Sequence, residues 1–464
     1  MNKYLVVIYF LVGLILMQSD LQVFLLYITV LPIHLFFLLI AIRKNILPLF
    51  FLSFLSFLAL GVNPIFFFLE KSQYSISGWN AVGNFDFTFS KYFTYYSFFL
   101  LFISVVFIIV LLFNKKLFKQ PFFLYVKGLF VQLGKNHNKN STGYLIILCI
   151  ISIFLTLFMF NFRIGIRGIK PYALPFHLSG ILYYFRMIPL SAVMIYLYIK
   201  SNKKTISIIF VYLYLLFAGP TSASRSLIAF LLLPIAVYDY LTNRKKTFLF
   251  SCAYFAFLYI IITISRSFLY DYYLASSHLV TFDELYDLSL ADSLPLDFSI
   301  IYNFLSQFTG RLFGAQSLVL GGEFHNTGFN DLLSYYIFGS NIDTVVGGLA
   351  SEVYGINLPE DMAFGVGLGL PGTIVLLSSN NYLYAFVQSL IISLIFIKTN
   401  NDIQRILSGF LSPIVKFTSL ILLVSMVYLL WSRSSMYLVY LHVFILWFIA
   451  NKFRYIKSIL LKVE

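Results

Sequence analysis

The sequence predicts an all-α integral membrane protein, a polytopic bundle of about twelve transmembrane helices. Three observations carry this. The 464 residues are 60% hydrophobic, 20% aromatic and 11% charged, far too little polar surface to cover a water-soluble fold. Apolar runs long enough to cross a hydrocarbon core recur from the first residues to the last. Lys and Arg gather in alternate short loops between these runs, as the positive-inside rule requires of a threaded chain.

Read in order, the first apolar run covers residues 4–18. It follows a lysine but lacks a small-residue cleavage site and is succeeded at once by another run, so it is the first helix and not a removed signal. Further spans are predicted at 21–42, 46–69, 94–114, 142–162, 178–199, 205–219, 222–241 and 247–265. After a long gap come 371–397, 407–431 and 436–451. This divides the chain into 1–265 with nine helices, 266–370 as one large loop with short interfacial helices, and 371–464 with three helices and a tail. Cys149 and Cys252 fall within apolar runs, where a thiol acts as a small hydrophobe.

The loops that hold Arg43 and Lys44, then Lys115, Lys116, Lys119, Lys127, Lys135 and Lys139, then Lys200, Lys203 and Lys204, then Arg244, Lys245 and Lys246, then Lys398 and Arg405, with the tail Lys452, Arg454, Lys457 and Lys462, all fall on one side. Both termini are therefore expected in the cytoplasm, and most of the +14 net charge is topology signal and affinity for membrane lipids. Nucleic-acid binding is not needed to explain it. The opposite side is dominated by residues 266–363, rich in Asp and Glu, with apolar stretches such as Leu332 to Phe338 that suggest amphipathic helices lying on the membrane. Long loops on a helical scaffold commonly carry function.

Arg163, Arg167, Arg186, Arg225, Arg266, Arg311 and Arg433 map to this opposite side, against the topology rule, while the cytoplasmic charges are mostly Lys. Arginine keeps its charge and offers a planar fork that grips phosphate oxygens bidentately. A membrane-embedded anion, most simply a pyrophosphate on a lipid, accounts for the pattern; snorkelling or pairing with the acidic loop accounts for single members of it. Arg225 follows Ala-Gly-Pro-Thr-Ser-Ala-Ser, whose small residues admit a headgroup to the start of the next helix. Arg266 marks the exit of a span, Arg311 lies within the large loop, and Arg433 sits between the last two spans.

These features resemble the oligosaccharide repeat-unit polymerases, the Wzy-type O-antigen and related surface-polysaccharide polymerases including the enterobacterial common antigen type. The matching residues are Tyr184-Phe185-Arg186-Met187-Ile188-Pro189, then Ser224-Arg225-Ser226-Leu227-Ile228, then Arg266, Arg311 with Gly322 eleven positions on, and Arg433. The resemblance implies a GT-C-like helical bundle in a bacterial inner membrane, a periplasmic large loop, and transfer of a growing glycan from undecaprenyl pyrophosphate to a lipid-linked repeat unit. It assigns Arg225, Arg266 and Arg311 to the pyrophosphate, with Arg186, Arg433, Arg163, Arg167 and Gly322 as further substrate-binding residues. Glu352 is the acidic residue chosen as base or orienting group for the acceptor hydroxyl. Neither metal nor cofactor is expected; a chain-length regulator and a flippase are the implied partners. The sequence departs from the family by placing aromatics before Arg186. It also has only His278 and His325 in the large loop, without the late histidine of the related ligases. A flippase or exporter, a ligase and a non-enzymatic scaffold are the competing readings.

Other signals point to structure. Gly367-Leu368-Gly369-Leu370-Pro371-Gly372 has the letters of a dinucleotide fingerprint but no preceding strand, so helix packing or a re-entrant bend is expected. Asp283, Glu284 and Asp287 lack calcium-loop spacing. Asn140-Ser141-Thr142 has the letters of a glycosylation sequon but falls on the cytoplasmic side. The abundant aromatics, Tyr95 to Phe99 among them, are read mostly as lipid-facing packing and interfacial anchors, with sugar stacking in the outer loops as the alternative, and Lys416 as a snorkelling or paired lysine within a span.

Overall fold

In the computed structural model the described residues are 21–44, 46–65, 88–113, 122–134, 140–165, 172, 174–175, 178–222, 225–276, 315–323, 329–338, 369–409, 411–433 and 436–460. Among them all regular structure is helical. Seven helices are long and apolar enough to cross a membrane: Leu21–Lys44, Leu47–Ile65, Phe89–Phe113, Ser141–Asn161, Leu178–Lys200, Lys204–Thr221 and Tyr382–Ser408. Shorter apolar helices accompany them. The predicted run at 4–18 lies outside the described residues.

In chain order the first group is α1 (Leu21–Lys44), α2 (Leu47–Ser56) and α3 (Phe89–Phe113). Next come α4 (Phe122–Gly134), α5 (Ser141–Asn161), α6 (Leu178–Phe185), α7 (Ser191–Lys200), α8 (Lys204–Ser222), α9 (Arg225–Leu241) and α10 (Lys245–Ser276). The last are α11 (Ala315–Glu323), α12 (Phe329–Phe338), α13 (Gly369–Ser378), α14 (Tyr382–Ser408), α15 (Pro413–Arg433) and α16 (Met436–Leu460). Two π-turns interrupt the ladders, Phe57–Val62 after α2 and Arg186–Leu190 between α6 and α7.

The helices form two groups. One packs α3 against α14, with α1, α2, α11, α13, α15 and α16 around them; the other packs α5 against α8, with α7, α9 and α10. They meet where α15 touches α4, α7 and the second π-turn. Phe130 of α4 lies at this seam, 5.5 Å from the Tyr238 ring and 5.7 Å from Phe417. Phe230 meets Tyr428 across it at 5.7 Å. Helix α4 is a departure from the sequence reading, which left 115–141 as a cytoplasmic loop. Leu129, Phe130 and Leu133 are buried against the bundle, an apolar face that the flanking lysines masked.

The predicted span 371–397 is two helices. Ser379 and Asn380 take positive φ of 45° and 57°, and Asn381 caps α14 by accepting from the Leu383 amide at 2.9 Å. Ten residues make α13 about 15 Å long, half of an approximately 30 Å hydrocarbon core, and every one of them is buried. Gln388 ties the pair together, donating to the Ile374 carbonyl and the Ser378 hydroxyl at 3.2 Å each. Tyr336 of α12 donates to the Gln388 side-chain oxygen at 3.1 Å, and Tyr440 of α16 donates to the Tyr336 carbonyl. Leu332, Tyr335 and Tyr336 are buried, so the amphipathic helix foreseen in the large loop docks on protein and not on lipid.

Close approach makes the rest possible. A Cβ on Gly321 would stand 2.2 Å from the Gly372 carbonyl oxygen, and one on Gly322 2.2 Å from the Tyr95 ring. The glycine-rich letters at Gly369 to Gly372 thus serve helix packing. Tyr95, Tyr96, Phe98 and Phe99 are all buried, correcting their lipid-facing assignment. Tyr96 and Ser56 hold the two ring nitrogens of buried His34 at 3.0 and 2.8 Å. Phe98 stacks on Tyr382 at 4.3 Å. Lys416, placed by sequence inside a span, occupies the first turn of α15, because that helix starts only at Pro413. Gly321→Ala and Gly322→Ala are each expected to cost roughly 1–3 kcal/mol by overpacking. Gly128→Ala, with nothing within 4 Å of the new atom, serves as the control and is expected to gain roughly 0.5–1 kcal/mol from helix propensity. Thermal unfolding in detergent checks this, and equal midpoints for all three would contradict the packing.

Candidate functional site

Helix α5 ends in a Schellman turn. The Ile164 amide donates to the Met159 carbonyl at 2.7 Å and the Arg163 amide to Phe160 at 2.9 Å. Arg163 therefore occupies the left-handed position usually given to glycine, with φ 56°, at a backbone cost of roughly 1–2 kcal/mol. Its guanidinium lies 4.6 Å from the Tyr172 ring, and the Tyr172 amide donates to the Phe162 carbonyl at 3.1 Å. Gly165, at φ 76°, finishes the turn; a Cβ there would sit 2.7 Å from Tyr183 and 3.1 Å from Arg186 Nη2. The turn after α5 thus presses its backbone against the guanidinium of Arg186.

Arg186 opens the second π-turn. Pro189 within that turn has no amide to donate, which weakens the helical ladder at this point. The arginine is 1% exposed, walled by Tyr183 and by Tyr214 of α8 as well as by Gly165. Its Nε and Nη2 are buried without a hydrogen-bond partner among the described residues. An uncompensated guanidinium in low dielectric costs several kcal/mol, and arginine does not escape by losing its proton.

Other charged groups in the bundle have partners among the described residues, although Asp402 Oδ1 also lacks a hydrogen bond. Asp239, fully buried, accepts the Tyr198 hydroxyl on its two carboxylate oxygens at 2.8 and 3.0 Å. Lys204 donates to the carbonyls of Tyr198 and, at 2.6 Å, Ile199, and lies over the Tyr198 and Tyr238 rings at 4.8 and 5.2 Å. Buried Asp402 is paired with Lys398, with Arg405 3.8 Å away. Arg186 differs in that two of its three guanidinium nitrogens lack a partner among the described residues.

The nine sequence-predicted residues divide as follows. Arg163 and Arg186 are brought to one turn-and-hinge region by Gly165. Gly322 packs in the other helix group, against Tyr95. Arg225 opens α9, Arg266 lies within α10 and Arg433 ends α15, with their side chains outside the described part. Helix α10 has 32 residues, about 48 Å, so Arg266 is about 32 Å along it from its start. Arg167, Arg311 and Glu352 lie outside the described residues, as do His278, His325 and the Asp283 cluster.

One pair escaped sequence reasoning. Tyr184 of α6 reaches His442 Nε2 of α16 at 3.2 Å, with the rings edge to face at 5.6 Å. Nothing in the sequence links residues 258 apart, and a lone histidine in an apolar run reads as core. The chain matches no family model, no curated protein and no solved structure.

Because two of its nitrogens are without a partner among the described residues, replacing Arg186 should relieve the ligand-free protein. Arg186→Met is expected to raise unfolding stability by roughly 1–4 kcal/mol in ligand-free detergent. A lowered midpoint in thermal unfolding would mean that the guanidinium already has its counter-charge.

Proposed function

We propose that this protein is a membrane glycosyltransferase that polymerises lipid-linked oligosaccharide repeat units, with a polyprenyl pyrophosphate as leaving group. The observation that carries the reading is Arg186, a fully buried guanidinium with two unpartnered nitrogens inside an apolar bundle. Membranes offer few anions that bring their own apolar body into such a place; a phosphorylated lipid is one. The repeat-unit polymerase motifs around Arg186, Arg225, Arg266, Arg311 and Arg433 support the same assignment.

In the proposed reaction an acceptor-sugar hydroxyl on the new repeat unit attacks the anomeric carbon of the growing chain. The new C–O bond forms as the bond from that carbon to the pyrophosphate oxygen breaks. The electron pair leaves with the lipid pyrophosphate, and the hydroxyl proton passes to a base, for which Glu352 is the assigned residue. Negative charge grows on a phosphate oxygen during bond breaking. Guanidinium groups already in place, unable to relax away, stabilise that charge; a well-aimed donor of this kind is worth about 3 to 4 kcal/mol. Arg186 is the first candidate for the role, with Arg225, Arg266 and Arg311 completing the pyrophosphate site and Arg163, Arg167 and Arg433 around it.

Purified protein in nanodiscs, supplied with synthetic undecaprenyl-pyrophosphate-linked repeat unit, is expected to give a ladder of products. Arg186→Lys, which keeps the charge but loses the fork, should reduce the rate at least a hundredfold while inserting normally. Movement of the lipid between leaflets without bond formation would make the protein a transporter, and near-normal chain lengths in Arg→Lys variants at 186, 225, 266 and 311 would defeat the proposed site.

A further inference from the structure

Arg186 poses a problem of access. A ligand has to reach a guanidinium that is 1% exposed, so some element covering it has to move. On one side the wall is Gly165, held in the Schellman turn of a long helix, and Tyr214 of α8. On the other side is α6, and this helix differs from its neighbours in three ways. None of its eight residues is buried, and Leu178, Ile181 and Phe185 are exposed at 39, 57 and 47%. Such an apolar surface is suited to acyl chains and makes a weak claim on the protein interior. At its C-terminal end α6 runs into the π-turn Arg186–Leu190, where Pro189 leaves the ladder short of a donor and the Ser191 hydroxyl reaches back to the Arg186 carbonyl only at 3.4 Å. A helix is most easily bent at such a place. Finally, α6 is tied to α16 by Tyr184 on His442.

The direction of that tie is fixed. His442 Nδ1 lies 2.7 Å from the Leu438 carbonyl, which can only accept, so Nδ1 carries a proton. In the neutral imidazole Nε2 is then an acceptor and the Tyr184 hydroxyl donates to it. His442 is wholly buried whereas Tyr184 is half-buried, so the acceptor stays with the bundle and the donor travels with α6.

We propose that α6 is a lateral gate, hinged at the π-turn 186–190 and latched by Tyr184 on His442, through which the diphosphate of a membrane lipid enters from the bilayer and meets Arg186. The inference rests on the reading of Arg186 as a phosphate ligand and adds the route. Opening α6 toward the bilayer breaks one neutral hydrogen bond, exposes residues that already face hydrocarbon, and uncovers the guanidinium from the side on which a lipid headgroup arrives. A single hydrogen bond of this kind shifts an opening equilibrium by about three- to tenfold, enough to keep the gate closed at rest and weak enough for a bound lipid to hold it open.

Two measurements in phosphatidylcholine nanodiscs test this, both in a background with Cys149→Ala and Cys252→Ser. In the first, Arg186→Cys is labelled with N-ethylmaleimide, with and without Tyr184→Phe. The gate predicts labelling about three- to tenfold faster once the hydroxyl is gone; an unchanged or slower rate overturns it. In the second, Tyr184→Cys with His442→Cys is joined by a short bismaleimide, Arg186 being retained, and binding of radiolabelled geranylgeranyl diphosphate is measured. Cross-linking is expected to cut binding at least tenfold relative to the unlinked double variant. Competition by inorganic pyrophosphate or phosphatidylglycerol should be slight. Equal binding after cross-linking, or displacement by free pyrophosphate as effective as by the lipid, overturns lateral entry. Should the first experiment succeed while the unlinked protein binds no polyprenyl diphosphate, the gate stands and the ligand assignment falls. The polymerase reading is judged separately by the product ladder.

Discussion

Helices surrounded by hydrocarbon gain little from burying apolar side chains against one another, because lipid tails are as apolar as Leu or Phe. What holds such a bundle together is close backbone approach and the requirement that each polar group deep in the chain find a partner within it. Both are visible around α13. Gly321 and Gly372 let α11 and α13 come together, Gly322 lets α11 meet Tyr95, and Gln388 closes the half-helix onto α14 with two hydrogen bonds. The polar chain continues through Tyr336 to Tyr440, so a segment of the large loop is fixed to the bundle by the same rule. A loop anchored this way can present side chains at a set place, which a freely moving loop cannot.

That rule gives Arg186 its meaning. Asp239 and His34 are met by Tyr and Ser side chains placed in the apolar runs of neighbouring helices, and Asp402 by Lys398 of its own helix. A chain able to partner those groups could have placed an acid beside Arg186, and Tyr183, Tyr214 and Gly165 stand there instead. Two tyrosines and a glycine leave the guanidinium its full field. Stability given up at a buried cation is the pattern that the proposed anion site would require.

The sequence shows most of the spans, because hydropathy and charge punctuation are properties of composition along the chain. It does not show which way a span faces. Tyr95 to Phe99 look lipid-facing from their letters, yet they form the contact of α3 with α11, α14, His34 and Trp431, since interior and lipid are equally apolar. The break at Ser379 and Asn380 is hidden for another reason: four polar residues within a long apolar stretch barely lower an averaged hydropathy, although two positive φ values reverse the chain there. Helix α4 is hidden by lysines on either side of a short apolar face. Arg186 is legible as an arginine near Pro189 in a run that the charge pattern assigns to the less basic side, whereas the absence of partners for two of its nitrogens among the described residues is a three-dimensional fact. His442 was illegible altogether, since its role depends on Tyr184, far away in sequence.

Arginine and the hinge belong together for a physical reason. A permanently charged side chain buried beneath a rigid helix would be inaccessible and costly, and one left in an open groove would be hydrated and would hold its ligand weakly. The π-turn begins at the arginine itself, so the hinge proposed for α6 would bend at the residue that bears the charge. In the proposed gate, a closed α6 keeps water from the guanidinium and makes its attraction for phosphate strong, and an open α6 turns the charge toward the lipid. The same exclusion of water that makes the empty site expensive is what would make a bound pyrophosphate a good leaving group. The cost of Arg186 and the chemistry assigned to it are thus two consequences of one low-dielectric environment.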